Sequence, residues 1–188
     1  MQGIPLNERK RLGALLDDRP QTEVMAMIPQ FSQAETDNFV APPAQIPEAL
    51  GVLMFNMERG VNLPEIQEFL RDCPDIQPFD VILANELDDG CARSGNKNTA
   101  RELAQAFGLN YAWGLEFIEL VNDENAKGFH GNAVFSRWPI RRAGVIRLPE
   151  QYNWYFDRQK RIGARVAIVC SLDIGGREGG AVSVHLEN

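Results

Sequence analysis

The chain has 188 residues, 44% of them hydrophobic, which suits a single domain with a sizeable core. Its formal net charge of −7 argues against strong, non-specific binding to nucleic acid through a basic surface. No apolar stretch approaches the length of a membrane span, and no signal peptide is recognisable. The three cysteines, Cys73, Cys91 and Cys170, lack metal-ligand spacing and indicate free thiols. Together these features favour a cytoplasmic protein without a membrane span.

The first part of the chain is predicted to be a partly irregular N-terminal extension over residues 1–47, because prolines and polar runs interrupt it. One short helix is predicted within it, near residues 7–16. A group of prolines that ends at Pro47 marks the start of the main domain, which is predicted to cover residues 48–188.

Two strand–helix units open the main domain. A strand is predicted at 51–56, followed by a helix that begins at Asn62, which is a capping residue with a proline and a glutamate shortly after it. A second strand at 80–85 and a loop lead to another helix, for which Thr99 and the glutamate three residues later form a capping box. Gly108 is predicted to end that helix.

The remainder of the chain is rich in β-strand patterns. A long strand is predicted from Tyr111 to Val121, with Tyr111, Trp113, Leu115 and Phe117 on one side. Further strands are predicted at 131–136, 143–148, 162–174 and 181–186, the last two joined by a long, glycine-rich loop over 175–180. Strand–helix units followed by antiparallel hairpins predict an α/β fold with mixed sheets and helices on the outer faces.

Polar side chains end the first two apolar strands of the domain. The run from Val52 ends at Asn56, and the run from Phe79 ends at Glu86. In an α/β sheet, ligands collect at the carboxyl ends of strands, so an amide and a carboxylate can meet there. Such oxygen ligands suit a hard cation of the Mg²⁺ type. The alternative is that the acid is a turn residue or a helix cap.

Four motifs in order resemble those of the endonuclease/exonuclease/phosphatase superfamily, the deoxyribonuclease-I-like group. They are the strand end at Asn56, the strand end at Glu86, the segment 131–140 (Gly-Asn-Ala-Val-Phe-Ser-Arg-Trp-Pro-Ile), and the strand that leads to His185. The resemblance covers about residues 50–188. It implies a four-layer α/β/β/α sandwich, incomplete at the C-terminal end, with a magnesium site at the mouth between two sheets.

The resemblance implies specific roles for three of these residues. Glu86 matches the metal-binding glutamate, and Asn56 matches an asparagine near the metal and the scissile phosphate. His185 matches a histidine that donates a hydrogen bond to phosphate. The resemblance therefore implies Asn56, Glu86 and His185 as catalytic residues, with Glu86 and Asn56 at the metal. The implied cofactor is Mg²⁺, with Mn²⁺ as the alternative.

Two later motifs of the family have no match in this sequence. The family continues with a Gly-Asp-x-Asn motif and ends with an Asp-His pair that supplies the general base. The chain is therefore expected to correspond to the amino-terminal part of such an enzyme, and to be inactive and poorly stable alone.

Other residues are candidates for substrate binding. His130 and Asn132 enter the third motif, where they could face a phosphate or serve as a loop histidine and a turn residue. Arg137 suits a phosphate through its bidentate fork, although a structural ion pair is an equal alternative. The basic stretch 141–165 could face an anionic substrate or be a solvated strand face. Within it, the aromatic residues of 152–155 lie close to Arg158 and Arg161 in the sequence.

The function predicted from these patterns is a magnesium-dependent phosphoesterase of nuclease or phosphatase type, with part of its site missing from this chain. The competing hypothesis is a non-catalytic fragment or interaction module that retains the scaffold. The substrate could be nucleic acid, a phospholipid head group or a small phosphate ester. The sequence does not determine the oligomeric state.

Overall fold

The computed structural model describes residues 1–186, and positions 187 and 188, where the last sequence motif ends, lie outside the described residues. The described α-helices are Leu6–Ala14 (α1), Gln21–Ala26 (α2), Leu63–Asp72 (α3), Thr99–Phe107 (α4) and Trp154–Asp157 (α5). The strands are Ala34–Asp37 (β1), Val52–Arg59 (β2), Val81–Asp89 (β3), Asn110–Glu119 (β4), Phe129–Ser136 (β5), Ile140–Arg147 (β6), Arg161–Gly163 (β7), Val166–Ile174 (β8) and Arg177–Val184 (β9). None of the described helices is long and apolar enough to span a membrane.

Two sheets pack face to face. The larger sheet has six strands in the order β1-β4-β5-β3-β2, with β7 also paired to β4. The smaller sheet has the order β6-β8-β9. Strands β2 and β3 run parallel, whereas β5 is antiparallel to both β3 and β4. The carboxyl ends of β2 and β3 therefore lie at the same edge as the beginning of β5.

Two hydrophobic cores hold the layers together. One lies between the helices and the outer face of the larger sheet, and it contains Leu70, Leu103 and Trp113. The other lies between the two sheets and contains Val134, Ile168 and Leu172. Helices and two sheets thus form α, β and β layers, which confirms the predicted α/β sandwich.

The N-terminal residues contribute to the first of these cores. Leu12, Val24 and Phe31 are buried in the same cluster as the main sheet, and Ala34–Asp37 pairs with β4. The boundary predicted at residue 47 therefore does not separate two cores. The short helix expected near 7–16 is present as α1, with its last turn tightened into a 3₁₀ helix.

Three local predictions differ from the structure. The cap of α4 is Asn98, whose side chain accepts from the Arg101 N–H, while Thr99 donates to the Asp88 carbonyl. Asn62 makes no side-chain capping bond at α3. The long loop predicted over 175–180 is a tight turn at Gly175-Gly176, because both glycines adopt positive φ and let the strands pair up to Ile174 and Arg177.

The side-chain alternation of β4 also differs from the prediction. Tyr111, Trp113 and Leu115 face the helix-covered core as expected, but Ile118 rather than Phe117 continues that face. The pairing of β4 with β5 shifts between Leu115 and Phe117, which marks a β-bulge. The extra residue is Glu116.

Candidate active site at the sheet mouth

The ends of β2 and β3 are both irregular at the same edge of the sheet. Asn56 pairs with Asn85 across these parallel strands, and the register shifts immediately afterwards, between Asn56 and Arg59. In the pairing of β3 with β5, the register shifts between Ala84 and Leu87. Bulges bend a strand and redirect side chains, and they are common next to active sites.

The bulge in β3 determines where Glu86 points. Ile82 and Ala84 face the helix-covered core, so strict alternation would bury Glu86 beside them. Leu87 occupies that core position instead and is fully buried. Glu86 itself has φ of 59°, a left-handed conformation that is strained for a residue with a side chain. Its carboxylate is thereby released, half-buried, at the mouth between the sheets.

The buried side chain of Asn132 hydrogen-bonds to the strained residue Glu86. Its Oδ1 accepts a hydrogen bond from the Glu86 N–H at 3.3 Å, and its Nδ2 donates to the Val166 carbonyl at 3.2 Å. The asparagine is fully buried, so its amide joins β3 to β8. Both ends of the Asn132 amide are hydrogen-bonded to the backbone, and its contact with a phosphate stays a prediction.

His185 lies beside Glu86 just after the end of β9. Its Nδ1 is 3.8 Å from Glu86 Oε1 and 3.1 Å from Arg165 Nη1. A guanidinium can only donate, so Nδ1 is the acceptor and the ring proton is on Nε2. Nε2–H is thus a hydrogen-bond donor at the mouth. The structure brings together Glu86 and His185 from opposite sheets.

A buried charged cluster supports this mouth. His130 donates through Nδ1 to Asp88 Oδ1 at 2.8 Å, and its Nε2 lies 3.9 Å from Glu116 Oε2. Arg93 makes a bidentate contact to Asp88, with distances of 2.7 and 2.9 Å. Arg165 reaches both carboxylate oxygens of Glu116 at 3.4 Å. His130 is only 3% exposed and lies at the inner wall of the mouth, and its contact with substrate stays a prediction.

The pKa values of this cluster reflect its pairing. Burial works against the charged form of Asp88, but hydrogen bonds from Arg93 and His130 outweigh it and lower the pKa of the carboxyl group. Burial also disfavours the Arg93 guanidinium, yet its bonds to Asp88 raise its pKa. Both groups are therefore held in their charged forms.

A cavity of about 420 Å³ opens at this mouth. Arg161 forms part of its wall and is 6% exposed, with its Cζ 4.3 Å from the ring centres of both Phe117 and Trp154. Burial lowers the pKa of Arg161. The full lining comprises Arg59, Glu86, His130, Trp154, Arg158, Gln159, Arg161 and Arg165.

Two predicted site residues are placed differently from the rest. Asn56 is exposed just before the bulge of β2, which continues to Arg59, and its Oδ1 accepts from the Glu58 N–H at 2.9 Å, as in a turn. Arg137 pairs with Asp80 at 3.1 Å and lies at the far end of the sheet. Because β5 is antiparallel to β3, Arg137, which follows the last residue of β5, lies near the beginning of β3 and away from the mouth. The prediction that Arg137 binds substrate is therefore replaced by its structural alternative.

Several residues of the mouth were missed by sequence reasoning. The sequence patterns single out neither Glu116, Arg165 nor Arg59, and they place Asp88 in the loop that follows the strand predicted at 80–85. A charged residue inside the otherwise apolar strand β4 was the available signal for Glu116. The basic stretch 141–165 did contain Arg161 and Arg165.

The donor set at the mouth fits a hard cation through one carboxylate. Mg²⁺ usually takes one or two carboxylates and completes its shell with water and substrate oxygens, so Glu86 suits it. Asn56 retains a second lone pair on its oxygen beyond the one used by Glu58. Within residues 1–186, no group of three His, Cys, Asp or Glu side chains is arranged to hold a metal ion.

Comparison with solved structures identifies the fold. An endonuclease/exonuclease/phosphatase from Beutenbergia cavernae matches with a TM-score of 0.53 and 20% identity, over 72% of this chain and 37% of its own. An endonuclease/exonuclease/phosphatase family protein from Leptotrichia buccalis matches with a TM-score of 0.52 and 19% identity, over 74% of this chain and 55% of its own. No protein-family model and no curated protein sequence matches the chain.

These matches agree with the layered architecture. The chain spans between about a third and just over half the length of these two structures, 37% and 55%. Its fold is that of the endonuclease/exonuclease/phosphatase proteins.

Proposed function

We propose that this chain carries the metal-holding and phosphate-binding part of a magnesium-dependent phosphoesterase that hydrolyses a phosphodiester or a phosphomonoester. The observation that supports this most is Glu86, a carboxylate held in a strained conformation by the buried Asn132 at the edge of an arginine-lined cavity. Strain of this kind persists only where the surroundings enforce it, and it is concentrated at functional sites.

The side chains at the mouth have complementary roles in this proposal. Glu86 holds the metal, and Asn56 orients the phosphate from the neighbouring strand end. His185 donates its Nε2–H to a phosphoryl oxygen, while Arg165 keeps the ring in that tautomer. When bound, Mg²⁺ polarises the phosphoryl group and stabilises the leaving oxygen.

The base that activates the attacking water is proposed to come from outside the described residues. His130 and His185 are the only histidines of the sequence, and each is already hydrogen-bonded to a charged partner. A general base needs a free lone pair within reach of the water. His185 has no free lone pair, because its Nδ1 accepts from Arg165 and its Nε2 carries the proton. His130 keeps a lone pair on Nε2, but the ring is buried and this nitrogen lies 3.9 Å from the Glu116 carboxylate, so we propose that the base lies elsewhere.

The Glu86→Gln variant of the full-length protein tests the metal assignment. Loss of the carboxylate removes a direct ligand. Mutation of residues that only support a metal ligand already lowers metal affinity by about 10–100-fold. We therefore expect magnesium-dependent turnover to fall by at least about 100-fold. The measurement is the hydrolysis of bis(p-nitrophenyl) phosphate and p-nitrophenyl phosphate over a magnesium titration.

Glu68→Gln is the matched control, because Glu68 is an exposed residue of α3. This control should retain full activity, and both variants should keep the melting temperature of the parent protein. A Glu86→Gln variant with parental rates would exclude Glu86 as the metal ligand.

The non-catalytic alternative rests on a specific observation. No three-residue metal cluster exists among residues 1–186, and the mouth's acids are largely paired with arginines. Under this alternative the cavity binds an anion without cleaving it. Phosphate-ester binding without any magnesium-dependent hydrolysis by the full-length protein would favour it.

A further inference from the structure

The cavity beside Glu86 concentrates positive charge in a chain that is acidic as a whole. Four arginines line it, against the single carboxylate of Glu86, while the chain has a net charge of −7. Of these four, Arg165 is paired with Glu116. Arg59, Arg158 and Arg161 form no ion pair with any described side chain.

Arg161 is the most unusual of the three. It is 6% exposed, and its guanidinium lies against the rings of both Phe117 and Trp154. One terminal nitrogen donates to Gln159 Oε1, but Nε is buried and has no hydrogen-bond partner. A buried charged donor without a partner is costly, so a ligand that supplies an acceptor would recover free energy.

The other two arginines are pre-positioned at the same cavity. The Arg158 guanidinium stacks on the Tyr152 ring, with 4.6 Å between its Cζ and the ring centre. Arg59 follows the bulge of β2 with φ of 66°, a conformation that the chain maintains at a cost. The stacked guanidinium of Arg158 is partly fixed before a ligand arrives, which lowers the entropy lost on binding.

This charge exceeds what one scissile phosphate requires. A phosphomonoester carries a charge of about −1.5 to −2 at neutral pH, and a phosphodiester carries less, and either commonly takes one or two bidentate guanidinium contacts. If Glu86 is neutralised by a cation, the charges of Arg59, Arg158 and Arg161 remain at the cavity, and the buried Glu119 carboxylate behind Arg161 offsets only part of them. A second anionic group on the ligand would balance them.

We propose that this cavity binds a second phosphate of a compact, multiply phosphorylated ester, whose scissile phosphate lies at Glu86. The inference rests on the proposed function for the position of the scissile group. The cavity volume of about 420 Å³ is within the range of small-molecule sites, about 300–1,000 Å³. A nucleic-acid strand requires an extended basic track instead, whereas here three arginines without an ion pair to a described side chain line one compact cavity of an acidic chain.

Direct binding of inorganic pyrophosphate and orthophosphate to the full-length protein tests the inference. Calorimetric titrations are made in EDTA, so that no metal contributes. We expect pyrophosphate to bind at least about 10-fold more tightly than orthophosphate, because it engages additional charge-assisted hydrogen bonds. Arg158→Gln and Arg59→Gln should each remove most of this difference.

Arg19→Gln is the matched control, because Arg19 is exposed and lies outside the cavity. It should bind pyrophosphate like the parent protein. Equal affinities for the two anions would overturn the inference, as would unchanged pyrophosphate binding in both cavity variants with parental melting temperatures. Displacement of pyrophosphate by a dT oligonucleotide at lower concentration than by a small bisphosphate would assign the cavity to nucleic acid instead.

The Glu86→Gln variant separates this inference from the proposed function. It should lose magnesium-dependent turnover yet bind pyrophosphate in EDTA at least as well as the parent, because one negative charge is removed from the cavity. Parental turnover with intact pyrophosphate selectivity would refute the proposed metal ligand alone. Lost turnover without any pyrophosphate selectivity would refute the second-phosphate site alone.

Discussion

At the scale of single residues, the mouth depends on charged groups that are buried and mutually neutralised. Asp88 is fully buried and contacts both Arg93 and His130. Removing one member of such a pair leaves an uncompensated charge in the interior, whereas the intact pair contributes little net stability. The cluster therefore orders the inner wall of the cavity more than it stabilises the fold.

The Asp88→Asn variant should be destabilised in a pH-dependent way. At neutral pH we expect a loss of about 3–5 kcal/mol in the free energy of unfolding, because Arg93 loses its buried carboxylate partner. The pKa of Asp88 is lowered in the folded state, so its charged form stabilises the protein above the ordinary aspartate pKa of about 3.9. This contribution is lost as the pH falls through that value towards the folded pKa.

Urea unfolding of the parent and the variant between neutral and acidic pH measures this difference. The gap in unfolding free energy should be constant near pH 7 and narrow below about pH 4. Asp75→Asn serves as control, since Asp75 is exposed. A gap that widened on acidification would contradict the assigned direction of the pKa shift.

At the scale of elements, β-bulges account for the placement of the charged side chains. The bulge in β3 releases Glu86 to the mouth, and the bulge in β4 adds Glu116 as an extra residue. Both elements pair with β5, whose first residues supply His130 and Asn132. Strand β5 thus pairs with two bulged strands. Its Asn132 side chain hydrogen-bonds to the backbone of β3 and to that of β8 in the other sheet.

The Asn132→Ala variant tests this link between the sheets. It leaves the Glu86 N–H and the Val166 carbonyl without their partners, which should cost about 1–3 kcal/mol in the free energy of unfolding. If Glu86 holds the metal, its looser positioning should also weaken magnesium binding by about 10–100-fold. Urea unfolding and magnesium titration by calorimetry measure the two effects.

The control for this variant is Asn7→Ala, which changes an exposed residue of α1. It should alter neither quantity appreciably. Magnesium affinity that is unchanged in a folded Asn132→Ala variant would show that the asparagine serves the fold alone.

The predictability of the site follows from the same elements. Asn56 and Glu86 could be predicted to be close, because two apolar runs ended in polar residues and the strands are parallel neighbours. The antiparallel direction of β5 could not be read from its composition, so Arg137 was assigned to the wrong end. Contacts between Glu116 and Arg165 join residues 49 positions apart through a bulge, which side-chain alternation does not reveal.

At the scale of the whole molecule, charge is distributed unevenly. A net charge of −7 surrounds a cavity lined by four arginines. An acidic surface repels long polyanions, while a low-dielectric cavity focuses its positive field on a small anion that enters it. The fold class was predictable from strand and helix periodicity. The concentration of positive charge was not, because it depends on the fold placing Arg59 of β2 and Arg158, which precedes β7, at the same cavity.

The smaller sheet covers only part of the face of the larger sheet against which it packs. On the edge strand β2, Val52 pairs with Val81 and Met54 pairs with Leu83, and these two partners pack into the inter-sheet core. Val52 and Met54 themselves are 57% and 72% exposed. Among residues 1–186, the last strand of the smaller sheet is β9, and both side chains remain exposed. Together they form an apolar surface on an unpaired strand edge, which is an aggregation hazard.

We therefore expect the 188-residue chain to bind the dye 1-anilinonaphthalene-8-sulfonate under native conditions. Met54→Thr should reduce the fluorescence markedly, because it replaces the most exposed of these apolar side chains with a residue that favours strands. Met27→Thr is the control, since Met27 is 43% exposed on the other side of the first core, at the end of α2. Dye fluorescence that was absent, or equally reduced by both variants, would show that the β2 face is not the exposed apolar surface. If the prediction holds, Met54→Thr should also aggregate more slowly than the parent chain in light scattering. The reason is that the edge of β2 would present a less apolar strand to a second molecule.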